Sequence, residues 1–375
     1  MASETAPERG RFECLPAPPR RRLGASVARG ASLCASLLLG GCLVAGGVGG
    51  SRAEGNGPVA DGEYIPEIPV LPAGWPALAW PADNPYTSAK AILGRRLFFE
   101  AGLSSDGTVS CSWCHGSGHA FTDMHRVAFS TGVGGVFATR NTPTTVNMIF
   151  GTSFMLDGAA TTLEEQALLP LLNPHEMNMT RSGIEARLAA DTLYVKLFRQ
   201  AFGAGTISLP NVARALATYQ RTLISYRTPY DQWVAGDSAA LSEPAKRGAV
   251  IFLGEKGGCA RCHVPPLFTD GRFYDIGLDS APADSGRARV TGLAGDVGRF
   301  KTPTLRNVFH TGPYMHDGRI ASLEHVVMHY NSGGAPSPNR DPGLKPLGLS
   351  ESEVYDLTIF LESLTDESVL RAPQP

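Results

Sequence analysis

CSWCH runs from Cys111 to His115, and CARCH runs from Cys259 to His263. Each pairs two cysteines across two intervening residues and follows them at once with a histidine. Two thiols at that spacing can add to the two vinyl groups of one haem, and the adjacent histidine then reaches the iron from the proximal side. A zinc site is the other reading of paired cysteines. It would have to gather Cys111, Cys114, Cys259 and Cys262 in one place, and it would leave both histidines without a role. The sequence therefore predicts two covalently attached haems c. Cys111, Cys114, Cys259 and Cys262 hold the macrocycles, and His115 and His263 are the proximal iron ligands.

The surroundings of the two motifs match as well. Gly-x-x-x-Phe precedes each (Gly94 and Phe98; Gly248 and Phe252), and Phe-Thr-Asp follows each (Phe121–Asp123; Phe268–Asp270). Further on, NTPTTVNMIFGTSFMLDG from Asn141 aligns without a gap on KTPTLRNVFHTGPYMHDG from Lys301, a constant offset of 160. A repeat this long marks an internal duplication. Thr87 to Phe99, Leu209 to Ser225, Ser242 to Leu253, the helix capped by Ser322, and Ser350 to Leu364 have helical periodicity or capping residues. With 43 Gly and 28 Pro in 375 residues, long loops join these helices. The expected fold is all-α: two cytochrome-c-like haem domains at 84–237 and 238–370, preceded by a Pro-rich arm at 54–83.

Residues 1–53 read as an export signal. Arg20, Arg21, Arg22 and Arg29 precede a small and apolar run, and Ser51-Arg52-Ala53 offers a cleavage site. Leu39-Gly40-Gly41-Cys42 resembles a lipobox, so a lipid anchor at Cys42 is the second outcome the segment allows. A periplasmic location is expected. Cleavage at Ala53 removes 7 of the 33 basic and 3 of the 35 acidic residues, leaving a net charge of −6. Such a body has no electrostatic reason to bind nucleic acid, but it suits a basic redox partner. The sequence is compatible with a homodimer.

The duplication allows the two distal sides to be compared. The helix after Ser322 presents Leu323, Val326, Val327 and Tyr330 on one face, and the matching face after Thr162 presents Leu163, Gln166, Ala167 and Pro170. Tyr330 thus answers to Pro170. A tyrosine oxygen can ligate iron, whereas proline has no side-chain donor. The second iron is expected to be capped by Tyr330, with Met328 and His329 as the other candidates, and the first is expected to be open. Gln166, a polar residue on an inner face, needs a partner there. Glu176, ten residues on, is a candidate acid–base group for peroxide cleavage, or else a helix cap or surface charge.

LGRRLFF, SCSWCH, RNTPT, LEEQALLP with the following HEM, TPTLRNV and VVMHYNSGG together resemble the bacterial di-haem cytochrome c peroxidase family, closest to its MauG-like branch. The resemblance covers most of the chain after about residue 84. It implies peroxide chemistry at the N-terminal haem, with Gln166 and Glu176 in the distal pocket, and electron transfer at the C-terminal haem. It also implies a calcium ion between the haems, matched here by Asn141 and the carbonyls around Pro303. Three positions depart from the family pattern. Val133 falls where most members carry a distal histidine, with His119 and His125 nearby. Tyr330 replaces a methionine, as in the MauG-like branch. Leu156 replaces a tryptophan expected between the haems, leaving Trp113 and Tyr330 as aromatic candidates for a relay. The leading expectation is reduction of hydrogen peroxide with electrons from a small cytochrome c or cupredoxin. The alternatives are peroxide-driven oxidation of a side chain in a partner protein, and a plain di-haem electron carrier.

Overall fold

The computed structural model describes residues 64–66, 68–204 and 207–375, and these belong to one compact unit. The export segment and Cys42 lie outside the described residues. Thr87 starts α1 (Ser88–Phe99) by accepting the Lys90 N–H at 3.2 Å. The remaining helices of the first half are α2 (Cys111–Cys114), α3 (Leu163–Leu172), α4 (Arg181–Ala189), α5 (Thr192–Phe202) and α6 (Leu209–Arg221). After them come α7 (Pro229–Val234), α8 (Glu243–Leu253), α9 (Ala288–Thr291), α10 (Leu323–Ser332), α11 (Glu351–Glu362) and α12 (Glu367–Leu370). The one ribbon among the described residues pairs β1 (Phe273–Tyr274) with β2 (Phe300–Lys301) antiparallel. The fold is all-α in substance, as the periodicity predicts.

Two helices stop earlier than the sequence suggests, for a shared reason. α6 ends at Arg221 because Asn147 captures the next residues. Its backbone N–H donates to Leu223 O at 2.8 Å, and its side chain bonds both backbone groups of Ser225. α11 ends at Glu362, and Asn307 donates its backbone N–H to Leu364 O at 2.8 Å. Asn147 and Asn307 share a left-handed backbone (φ 62° and 61°), which asparagine tolerates better than most side chains. The side chains of Ser225 and Asn307 bond to each other at 2.8 Å, which joins the two halves.

Each half is organised by one close helix pair. A Cβ on Gly94 of α1 would stand 1.9 Å from Ala215 O of α6, and one on Gly248 of α8 would stand 2.0 Å from Asp356 O of α11. Only glycine permits backbones so close. The phenylalanine four residues after each glycine fills the same niche. Phe98 packs on Phe121 and Tyr219, and Phe252 packs on Phe268 and Phe360. The Gly-x-x-x-Phe repeat is therefore a packing signature.

Two hydrophobic cores result, one around Leu93, Phe98, Leu216 and Tyr219, the other around Phe252, Phe268, Leu357 and Phe360. Tyr230 packs in the second core, and Val369 returns to the first. Trp75, in the N-terminal arm, lies 5.9 Å from Phe150 and under Arg306 at 4.4 Å.

The halves meet with pseudo-two-fold reciprocity. Asn141 N–H donates to His316 O at 2.7 Å, and Lys301 N–H donates to Leu156 O at 2.8 Å. Adding the offset of 160 to Asn141 gives Lys301, and subtracting it from His316 gives Leu156. The duplicated halves thus face each other as subunits of a symmetric dimer do.

Candidate haem centres and distal groups

Cys111 and Cys114 open and close the single turn of α2, and Cys259 and Cys262 flank an equivalent tight turn. None of the four is in a disulfide. Burial pushes the Cys111 and Cys114 thiols up to about 12 and Cys259 up to about 11, so free thiolates are disfavoured.

Both histidines are held in one tautomer. His115 Nδ1 lies 2.9 Å from Phe121 O, and His263 Nδ1 lies 3.0 Å from Phe268 O. A nitrogen facing a carbonyl must carry the proton, so Nε2 keeps its lone pair for a metal. Burial pushes both rings below the ordinary histidine range, which keeps them neutral. Phe121 and Phe268 aim their carbonyls by adopting φ of 59° and 54°. Thr144 and Thr304 fix the preceding residues through Ala120 O and Leu267 O, each at 2.6 Å. The carbonyls of Pro143 and Pro303 also face the two imidazoles. The duplicated Thr-Pro-Thr therefore braces each proximal histidine. These residues and their pairing fit two haems c, with His115 and His263 as iron ligands.

Tyr330 and Pro170 occupy matching positions on α10 and α3. Tyr330, on α10, lies within electrostatic range of Cys259 and Cys262, and burial pushes its phenol well above the ordinary range. Met328 is exposed, and His329 bonds Ile276 O at 3.0 Å. Of the three candidates on this helix, Tyr330 is the one with a buried phenol near the cysteines of the second motif. In the first half, Pro170 sits inside α3 and has no amide N–H to donate to Gln166 O.

Glu176 comes close enough to Cys111 and Cys114 for its charge to act on both thiols. It is half-buried. Burial raises its carboxyl above the usual range, against the opposing pull of the Asn173 amide at 2.8 Å and of His175. The Gln166 side-chain amide donates to Met155 Sδ, at 3.9 Å. Val133 packs on the first core and donates its N–H to Glu176 O at 2.8 Å. Gly132 makes that possible, since a Cβ there would meet His175 O at 2.1 Å. His125 lies against Trp113 on the surface, with ring centroids 4.6 Å apart and planes tilted by 59°. The His119 carbonyl accepts the Thr122 hydroxyl at 2.8 Å.

Asn141 directs its amide nitrogen to Val127 O and Ala128 O, while Pro303 directs its carbonyl at His263. No step below depends on calcium. Sequence reasoning missed Gly132, whose need is purely steric. It also missed Arg306, fully buried, which bonds Asp231 in a bidentate pair and Pro266 O at 2.7 Å behind the Phe268 loop. The Arg306 position was readable only as a polar residue inside the TPTLRNV repeat.

Two braced Cys-x-x-Cys-His turns in a duplicated helical fold define a c-type di-haem protein. A family model described as di-haem cytochrome c peroxidase matches residues 88–239. Methylamine utilization protein MauG of Methylorubrum extorquens is 44% identical over 298 residues, covering 78% of this chain and 83% of that protein. Cytochrome c551 peroxidase of Nitrosomonas europaea is 32% identical, covering 80% and 86%. The crystal structure of a MauG-like protein associated with microbial copper homeostasis superposes with a TM-score of 0.76 at 34% identity, covering 81% of this chain and 97% of that one. The chain belongs to the di-haem cytochrome c peroxidase family, and is accordingly a di-haem oxidoreductase of peroxidase type.

Proposed function

We propose that hydrogen peroxide is reduced to water at the site built on Cys111, Cys114 and His115, with electrons entering through the site built on Cys259, Cys262 and His263. The observation that supports this reading is the asymmetry of the duplicated helices: the buried Tyr330 lies near the cysteines of the second motif, and Pro170 occupies its place in the first. Haem iron, when bound, supplies the electrons that cleave the O–O bond. The chain supplies the rest. Tyr330 closes the second site against small oxidants. Pro170 offers no donor, and the apolar Val133 leaves the first site accessible. Glu176 takes the proton from one peroxide oxygen and returns it to the departing one, for which a carboxyl raised by burial is suited. Gln166 orients the oxygens after releasing Met155.

The donor is a small cytochrome c or cupredoxin in the periplasm, with a basic face that meets this chain's net negative charge. No helix among the described residues is long and apolar enough to cross a membrane. Tyr330 and Val133 also favour a second reading, in which peroxide is used to oxidise a side chain of a partner protein. Steady-state turnover with reduced cytochrome c separates the two, since a modifying enzyme is slow with that donor. Glu176→Gln is expected to lower peroxide turnover by roughly 10²–10⁴-fold while both haems stay attached. Unchanged turnover in that variant would remove Glu176 from the mechanism.

A further inference from the structure

The reciprocal contact between the halves is symmetric in its backbone but not in its side chains. On one side of the pseudo-dyad stands Leu156, and on the other stands His316. The His316 ring lies flat on Phe300, with centroids 3.9 Å apart and planes 11° apart. Arg140 covers Phe300 at 5.4 Å and is itself fixed by Asp157 and Asp284, each at 2.6 Å. The stack is therefore clamped in place.

The stack also lies on a continuous route between the proximal ligands. From His115 the route passes to the Pro143 carbonyl and back along Thr142 to Asn141, whose N–H holds the His316 carbonyl at 2.7 Å. From the His316 ring it crosses to Phe300, then runs along Lys301 and Thr302 to Pro303, whose carbonyl faces His263. The mirror route passes through Leu156, which has no π system. We infer that the stacked Phe300–His316 pair is the element through which an electron crosses between the two haem sites. One electron leaves the His263 side and arrives at the His115 side. The second site, on the His263 side, is oxidised by one and the first, on the His115 side, is reduced by one, and no bond or proton changes hands at Phe300 or His316.

This inference rests on the two-haem assignment but not on Glu176 or on the identity of the substrate. The test is the intramolecular electron-transfer rate in the holoprotein after flash reduction of the second site. His316→Leu makes the position match its dyad mate and keeps the backbone carbonyl that Asn141 holds. It is expected to slow the crossing. His316→Phe should restore the rate. Paramagnetic resonance and thermal midpoint should show both variants with wild-type haem coordination and stability. An unchanged rate in His316→Leu, or equal slowing in both variants, would overturn the proposal. Failure of the Glu176→Gln test with a slowed His316→Leu would overturn the acid–base assignment instead.

Discussion

Lys301 stands where the first half has Asn141, and its ammonium is buried at the contact between halves. It reaches Ser153 O at 2.7 Å and lies 5.7 Å from the Phe154 ring. Burial alone pushes it down from 10.5 to about 8, because the charged form loses its water. A lysine lowered by folding contributes stability that is fully present above its unfolded value of 10.5 and is lost as pH falls through about 8. The wild type should therefore gain stability relative to Lys301→Met as pH is raised from about 8 towards 10. Thermal midpoints of the two proteins across that window check this, and parallel curves would contradict it. Nothing in the sequence betrays Lys301, since its burial comes from contacts with Ser153 and Phe154 about 150 positions away. The cysteines and proximal histidines, by contrast, were fully legible. Covalent attachment and ligation fix their spacing within five residues, whatever surrounds them.

Helices were legible wherever a capping residue met an apolar face. Thr87, Ser242, Ser322 and Ser350 each accept a backbone N–H from the residue three positions on, as the sequence suggests. Helix ends were less legible because the side chains that stop α6 and α11 come from distant loops at Asn147 and Asn307. Close approach is the main constraint on the α1–α6 and α8–α11 pairs. Gly94→Ala and Gly248→Ala should each destabilise the protein by about 1–3 kcal/mol, the usual cost of forcing extra atoms into a packed contact. Each should lower the thermal midpoint, whereas Gly74→Ala, at a site with open space for a Cβ, gives the cost of left-handed backbone strain alone. A midpoint in Gly94→Ala equal to that of the wild type would show that α1 and α6 can move apart at no cost.

At the scale of the whole molecule, the duplication provides two similar proximal sites and then differentiates them. Phe121 and Phe268, Thr144 and Thr304, and Pro143 and Pro303 build the same brace twice. That symmetry was visible in the sequence as the gapless offset of 160. How the halves face each other was not, since sequence similarity says nothing of which surfaces meet. The exchange of Asn141–His316 and Lys301–Leu156 bonds emerges only from the folded chain. We propose that function lies in what breaks the symmetry: Tyr330 against Pro170, and His316 against Leu156. Electron paramagnetic resonance of the as-isolated holoprotein, beside Tyr330→Phe, tests the first of these most directly. The account predicts one high-spin and one low-spin haem in the wild type, with the low-spin signal converted in Tyr330→Phe. Two low-spin haems that Tyr330→Phe leaves unchanged would contradict it.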